Sequence, residues 1–167
     1  MTGSINEQAV WERVTGGNPN VDTSPRRSPV APELLDILEE NRALIRGYQV
    51  LAARLGSQSR SQIQTVIRQK QQSHRTLSGL YAFLTGSPPD RRQASADSSP
   101  NAPAALLRQL MRREERLSGQ LEALSARTSG EPRQALMELS REVGPLFRQL
   151  LPLLGQLMGG GVRSSDP

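Results

Sequence analysis

The sequence predicts an all-α fold built as a bundle of four helices, and three observations carry that expectation. Aromatic residues make up only 3% of the 167 residues, and Val and Ile are sparse beside Leu and Arg, which disfavours a sheet. Four stretches place apolar residues at helical spacing for three heptads or so. Turn-forming clusters of Gly, Ser and Pro separate them. The length suits one domain with one core.

Residues 1–30 mix Gly, Asn, Ser, Thr and Pro without a sustained period and are expected to form a disordered arm. A first helix is expected over about residues 32–55. Pro32 stands where its missing N–H costs nothing, and Glu33 and Asp36 lie near the positive end of the helix dipole. Its stripe reads Leu34, Leu38, Ile45, Tyr48, Ala52 and Leu55, widened by Leu35, Ile37, Leu44 and Leu51, with Asn41 as the polar exception. A loop at Gly56–Ser59 leads to a second helix over 60–86, carrying Ile63, Val66, Ile67, His74, Leu77, Tyr81 and Leu84. So short a loop makes the pair an antiparallel hairpin.

Residues 87–103 are rich in Ser, Pro, Asp and Ala and read as a linker. A third helix over 103–128 then shows Leu107, Leu110, Glu114, Leu117, Leu121 and Leu124, and a fourth over 131–158 shows Leu136, Leu139, Val143, Leu146, Leu150, Leu154 and Leu157. In the fourth, Pro145 removes the backbone bond to Arg141 and is expected to bend the helix. Residues 159–167 are expected to be a disordered tail. Helices of this size are about 37 Å long, while the linker can stretch to about 55 Å. The linker can therefore cross the whole bundle, and a crossover joining two antiparallel hairpins is expected, the alternative being a loose insertion at the bundle end.

Composition excludes several chemistries. Without cysteine there is no disulfide scaffold, thiolate zinc site, iron–sulfur cluster or thiol nucleophile. His74 is the only histidine, so any Ser-His-Asp triad in one chain must use it. No phosphate-cradling glycine loop is present, and Gly159–Gly161 lie at a helix C-terminus, the wrong end for an anion. The net charge is +5, carried by arginine except for Lys70. Because the arginines alternate with Glu, Gln and Ser, solvated helix faces are the expectation and nucleic-acid binding is not. Arg112-Arg113-Glu114-Glu115-Arg116 fits intrahelical ion pairs. The start of the chain lacks the basic and apolar runs of a secretory signal, and no apolar run reaches the ~18 residues of a membrane span, so a cytoplasmic protein is expected.

Helix two, from Val66 to Leu77 followed by Leu80-Tyr81-Ala82-Phe83-Leu84-Thr85-Gly86, resembles the rubrerythrin-like, ferritin-like proteins. In that family an E-x-x-H motif precedes a similar helix end. Helix one, with Asn41 seven residues ahead of Tyr48, resembles the family's first helix, where a glutamate stands at that spacing. The resemblance spans roughly residues 33–158 and implies a ferritin-like four-helix bundle. Two metals in such a core take carboxylates from two helices and an E-x-x-H from each of the others.

Carried over by position, the first glutamate is Asn41, the E-x-x-H is Gln71 with His74, and the third-helix glutamate is Glu114. The fourth-helix pair falls on Arg141 and Gly144, or, one residue on, on Glu142 and Pro145. The resemblance thus leaves His74 and Glu114 as the only metal ligands, too few for a dimetal centre, because amides bring no charge to offset a divalent ion.

The expectation is a degenerate site, in which Asn41, His74 and Glu114, joined by Gln71 or Lys70, form a buried polar layer. The function expected is that of a non-enzymatic structural or protein-interaction module, with self-association or a protein partner and no cofactor. The apolar width of residues 146–158 suggests a dimer interface in addition to core. The alternative is an iron- or manganese-binding protein or di-iron oxidoreductase using His74 and Glu114. A weaker one is an Arg-rich binder of nucleic acid or anionic surfaces.

Overall fold

The computed structural model describes residues 28–90 and 99–159. Of the arm expected over 1–30, residues 1–27 lie outside the described residues, as do the middle of the linker (91–98) and residues 160–167 of the tail expected over 159–167, while Val30 is buried in the core. The described residues form α1 (Ala31–Ala53), α2 (Ser57–Thr85), α3 (Pro103–Ser125), α4 (Gly130–Arg141) and α5 (Val143–Gly159), with no strand among them. Four helical lengths pack together, the fourth being α4 and α5 end to end. The all-α expectation holds, with α2 starting three residues earlier than expected and α3 ending three earlier.

The break in the fourth helix falls where Pro145 has no N–H to offer the Arg141 carbonyl. The Glu142 N–H bonds instead to Leu139 O at 3.2 Å, and the Leu146 N–H bonds to Glu142 O at 3.1 Å to start α5. The single helix expected over 131–158 is therefore two. At the end of α2, Gly86 adopts φ +75°, which a residue with a Cβ reaches only under strain, and its N–H caps Ala82 O at 2.8 Å.

Helix α1 contributes more buried residues than any other helix. Leu34, Ile37, Leu38, Leu44, Tyr48 and Leu51 are all buried, because the widened stripe faces two neighbours, α2 on one side and α3 on the other. Both neighbours run antiparallel to it. Toward α2, Arg60 closes the hairpin by donating from Nε to Ala52 O at 3.1 Å and from Nη2 to Leu55 O at 3.0 Å, satisfying carbonyls that the end of a helix leaves open. Toward α3, Glu33 pairs with Arg127, Glu40 takes both nitrogens of a fork from Arg113 at 2.7 and 2.9 Å, and Arg54 donates to the carbonyls of Pro100 and Asn101. The start of α1 thus lies beside the end of α3, and the end of α1 beside the start of α3. Gly47 permits the close approach midway: a Cβ there would run into Leu110 Cδ2.

Helix α3 buries Leu107, Leu110, Glu114, Leu117, Leu121 and Leu124, the expected stripe in full, and packs on α4 and α5 as well as on α1. Helix α2 meets α4 over a short stretch. In α5 only Leu146, Leu150 and Leu153 are buried. Among the described residues no helix is long and apolar enough to cross a membrane.

Candidate functional site: a buried polar layer with an internal lysine

The polar layer draws on all four helical lengths, with two residues from α1, two from α2, and one each from α3 and the fourth. Asn41 of α1 is fully buried by the apolar residues one turn to either side, and its Nδ2 donates to the Lys70 carbonyl of α2 at 3.1 Å. Lys70 is itself 7% exposed, and its Nζ lies 2.8 Å from Oε2 of Glu114 on α3, which is 3% exposed. Ser73, one turn on from Lys70, lies 2.8 Å through its Oγ from Oε2 of Glu142, at the break between α4 and α5. The Ser73 Oγ also sits 3.1 Å from Gln69 O, so its single proton serves two acceptors. Tyr48 of α1, two turns beyond Asn41, completes the group.

Electrostatics in the layer are set by burial. Desolvation pushes the Glu114 carboxyl above the ordinary range; the Lys70 ammonium and the Tyr48 hydroxyl oppose that shift, and the charge of Glu142 adds to it. Tyr48 is raised well above its usual range, first by burial and then by the negative charge of Glu114. Although the Tyr48 hydroxyl is close enough to Glu114 to affect it, its Oη, Glu114 Oε1 and Asn41 Oδ1 are buried without a hydrogen bond of ordinary geometry. The layer is thus a strong charge-assisted bond flanked by incompletely satisfied oxygens.

The residues carried over from the family resemblance separate here. Asn41 and Glu114 lie in the layer, bridged by Lys70. Gln71 is exposed and lies outside it. His74 is half-buried, with its Nδ1 buried and unbonded, and no hydrogen bond joins it to Asn41 or Glu114. Helix α2 presents its pair one residue earlier than the motif alignment places it: Lys70 and Ser73 face inward, not Gln71 and His74. The signal for this was present, since Ile63, Val66, Lys70, Ser73 and Leu77 alternate in steps of three and four along a single buried seam. Motif matching left out Ser73, reached Glu142 only through the one-residue shift of the fourth helix, and used Tyr48 as a marker of spacing and not as a member of the layer.

These donors do not fit a divalent pair. Glu114 is engaged by an ammonium and Glu142 by a hydroxyl, and among the described residues no three His, Asp or Glu side chains gather as a metal site requires. What the arrangement can do is set the Lys70 side chain against Glu114 inside the bundle and tie α1, α2 and α3 in register through it. Compared with known protein families, curated proteins and solved structures, the chain matches none.

His74 makes a pH prediction. Burial, with the nearby Arg42 charge, lowers its pKa from 6.5. Acidification through 6.5 therefore protonates the unfolded chain before the folded one, and the stability that a neutral His74 contributes is present above that value and lost below it. His74→Gln is expected to narrow the stability lost by the wild type between about pH 7.5 and pH 5.5. Urea unfolding of both proteins at the two pH values measures it; parallel losses would show that His74 is solvated in the folded state.

Proposed function

We propose that this chain is a ferritin-like bundle in which the ammonium of Lys70 holds the place of the family's metal centre, and that it acts as a structural or protein-interaction module and not as an enzyme. The observation that carries this reading is the buried Lys70–Glu114 pair, 2.8 Å apart. A fixed positive charge at the centre repels a divalent ion and already neutralises the carboxylate a metal would need.

The packing order supports the ferritin-like topology. Since α2 and α3 both run antiparallel to α1, they run parallel to each other. The connection between them must then travel about 37 Å from one end of the bundle to the other, within reach of a segment the length of residues 87–103. An up-down-up-down bundle would set α2 antiparallel to α3. A role in protein contact is supported by Phe147, Leu151, Leu154 and Met158 on one stripe of α5, where Leu151 and Met158 are 54% and 56% exposed.

The test is elemental analysis of the purified, tag-free protein after exposure to ferrous iron, manganese and zinc, with Glu114→Ala and His74→Ala alongside. The expected result is metal at trace level in all three proteins. Near-stoichiometric metal in the wild type that both substitutions remove would overturn the reading in favour of an iron-handling protein.

A further inference from the structure

The outer face of α3 has an arrangement that the polar layer does not use. Within the run Arg112–Arg116, the expected intrahelical ion pairs do not form: Glu114 turns inward to Lys70, and Arg113 crosses to Glu40 on α1. That leaves Arg112 and Arg116, with Arg108 one turn earlier, exposed and with no carboxylate or hydrogen-bond acceptor among the described residues. The three lie at i, i+4 and i+8, so their guanidinium groups follow one line in steps of about 6 Å. They border a shallow groove of about 380 Å³, lined also by Ala105 and Gln109.

We propose that this groove docks an acidic peptide segment of a partner protein. Three unpaired guanidinium groups call for a row of anions, and each offers a carboxylate a two-pronged bond. Carboxylates on alternate residues of an extended chain recur about every 6.6 Å on one side, close to the spacing of the arginines. The groove has no aromatic ring on which a nucleic-acid base could stack. This inference rests on the reading of the chain as an interaction module and adds the chemistry of the partner. It is independent of what fills the polar layer.

The experiment is fluorescence polarisation of the full chain with a fluorescein-labelled peptide of alternating Glu and Ser, against a single-stranded DNA of equal charge. The groove variant is Arg108→Glu/Arg112→Glu/Arg116→Glu. The control, Arg68→Glu/Arg75→Glu/Arg133→Glu, makes the same change in net charge on exposed positions of α2 and α4. Salt-sensitive peptide binding is expected, weakened at least about tenfold by the groove variant and less than about threefold by the control. Absence of peptide binding, equal weakening by both triple variants, or tighter binding of DNA would overturn the proposal. The metal analysis is untouched by any of these outcomes, so a failure here is distinguishable from a failure of the metal-free reading.

Discussion

Replacing Glu114 by leucine is expected to destabilise the protein by about 3–5 kcal/mol, because it leaves the Lys70 ammonium buried with no counter-charge. Lys70→Met is expected to cost less. A carboxyl whose pKa burial already raises can shed its charge by taking a proton, and loss of the Lys70 charge raises it further. The sign follows from linkage. A raised carboxyl in the folded state contributes stability that is fully present below its unfolded pKa and is lost as pH rises through the folded value. The Lys70→Met variant is therefore expected to regain stability relative to wild type as pH is lowered from neutral toward about 5. Combining Lys70→Met with Glu114→Leu removes both charges and is expected to return stability to within about 1 kcal/mol of wild type or above it. Urea denaturation of the four proteins of this cycle measures each term. A Glu114→Leu protein as stable as wild type would mean that the carboxylate is solvated and that the layer is not a layer.

How far the sequence carries toward this site depends on which signal is followed. The stripes of α1 and α3 are legible because their inward positions are almost all leucine, so Asn41 and Glu114 stand out as polar exceptions on them. In α2 the inward seam contains Lys70 and Ser73 and is framed by half-buried Ile67, His74 and Tyr81 on its flank, so hydrophobicity alone leaves two registers open. Matching an E-x-x-H pattern selects the flank, and the heptad spacing of Ile63, Val66, Lys70, Ser73 and Leu77 selects the seam. The structure follows the spacing, since burial depends on which face a residue occupies and not on what chemistry a motif would assign it. Within the run Arg112–Arg116 the sequence shows opposite signs three and four apart, which is enough to suggest pairs along the helix. It does not show that Lys70 and Glu40, on other helices, compete for the same partners and win, because a buried or two-pronged cross-helix pair is stronger than an exposed intrahelical one.

Tyr48 separates the contribution of packing from that of the polar layer. It is the largest fully buried side chain of α1 and lies beside Glu114 of α3. Tyr48→Ala is expected to cost about 3–5 kcal/mol, as other large-to-small changes at buried aromatic positions do, because a ring-sized space opens in the core. Tyr48→Phe keeps the ring and removes only a hydroxyl whose oxygen has no bond of ordinary geometry. Its loss is expected to change stability by no more than about 1 kcal/mol, since no good hydrogen bond is broken and one incompletely satisfied buried group disappears. The hydroxyl nevertheless opposes the upward shift of Glu114. Without it the Glu114 carboxyl moves higher still, and the Phe variant is expected to gain stability relative to wild type on mild acidification, in the same sense as Lys70→Met and by a smaller amount. Chemical denaturation of the Ala and Phe variants at neutral and mildly acidic pH separates the two effects. If Tyr48→Phe costs as much as Tyr48→Ala at neutral pH, the hydroxyl carries the layer and the Lys70–Glu114 pair alone does not.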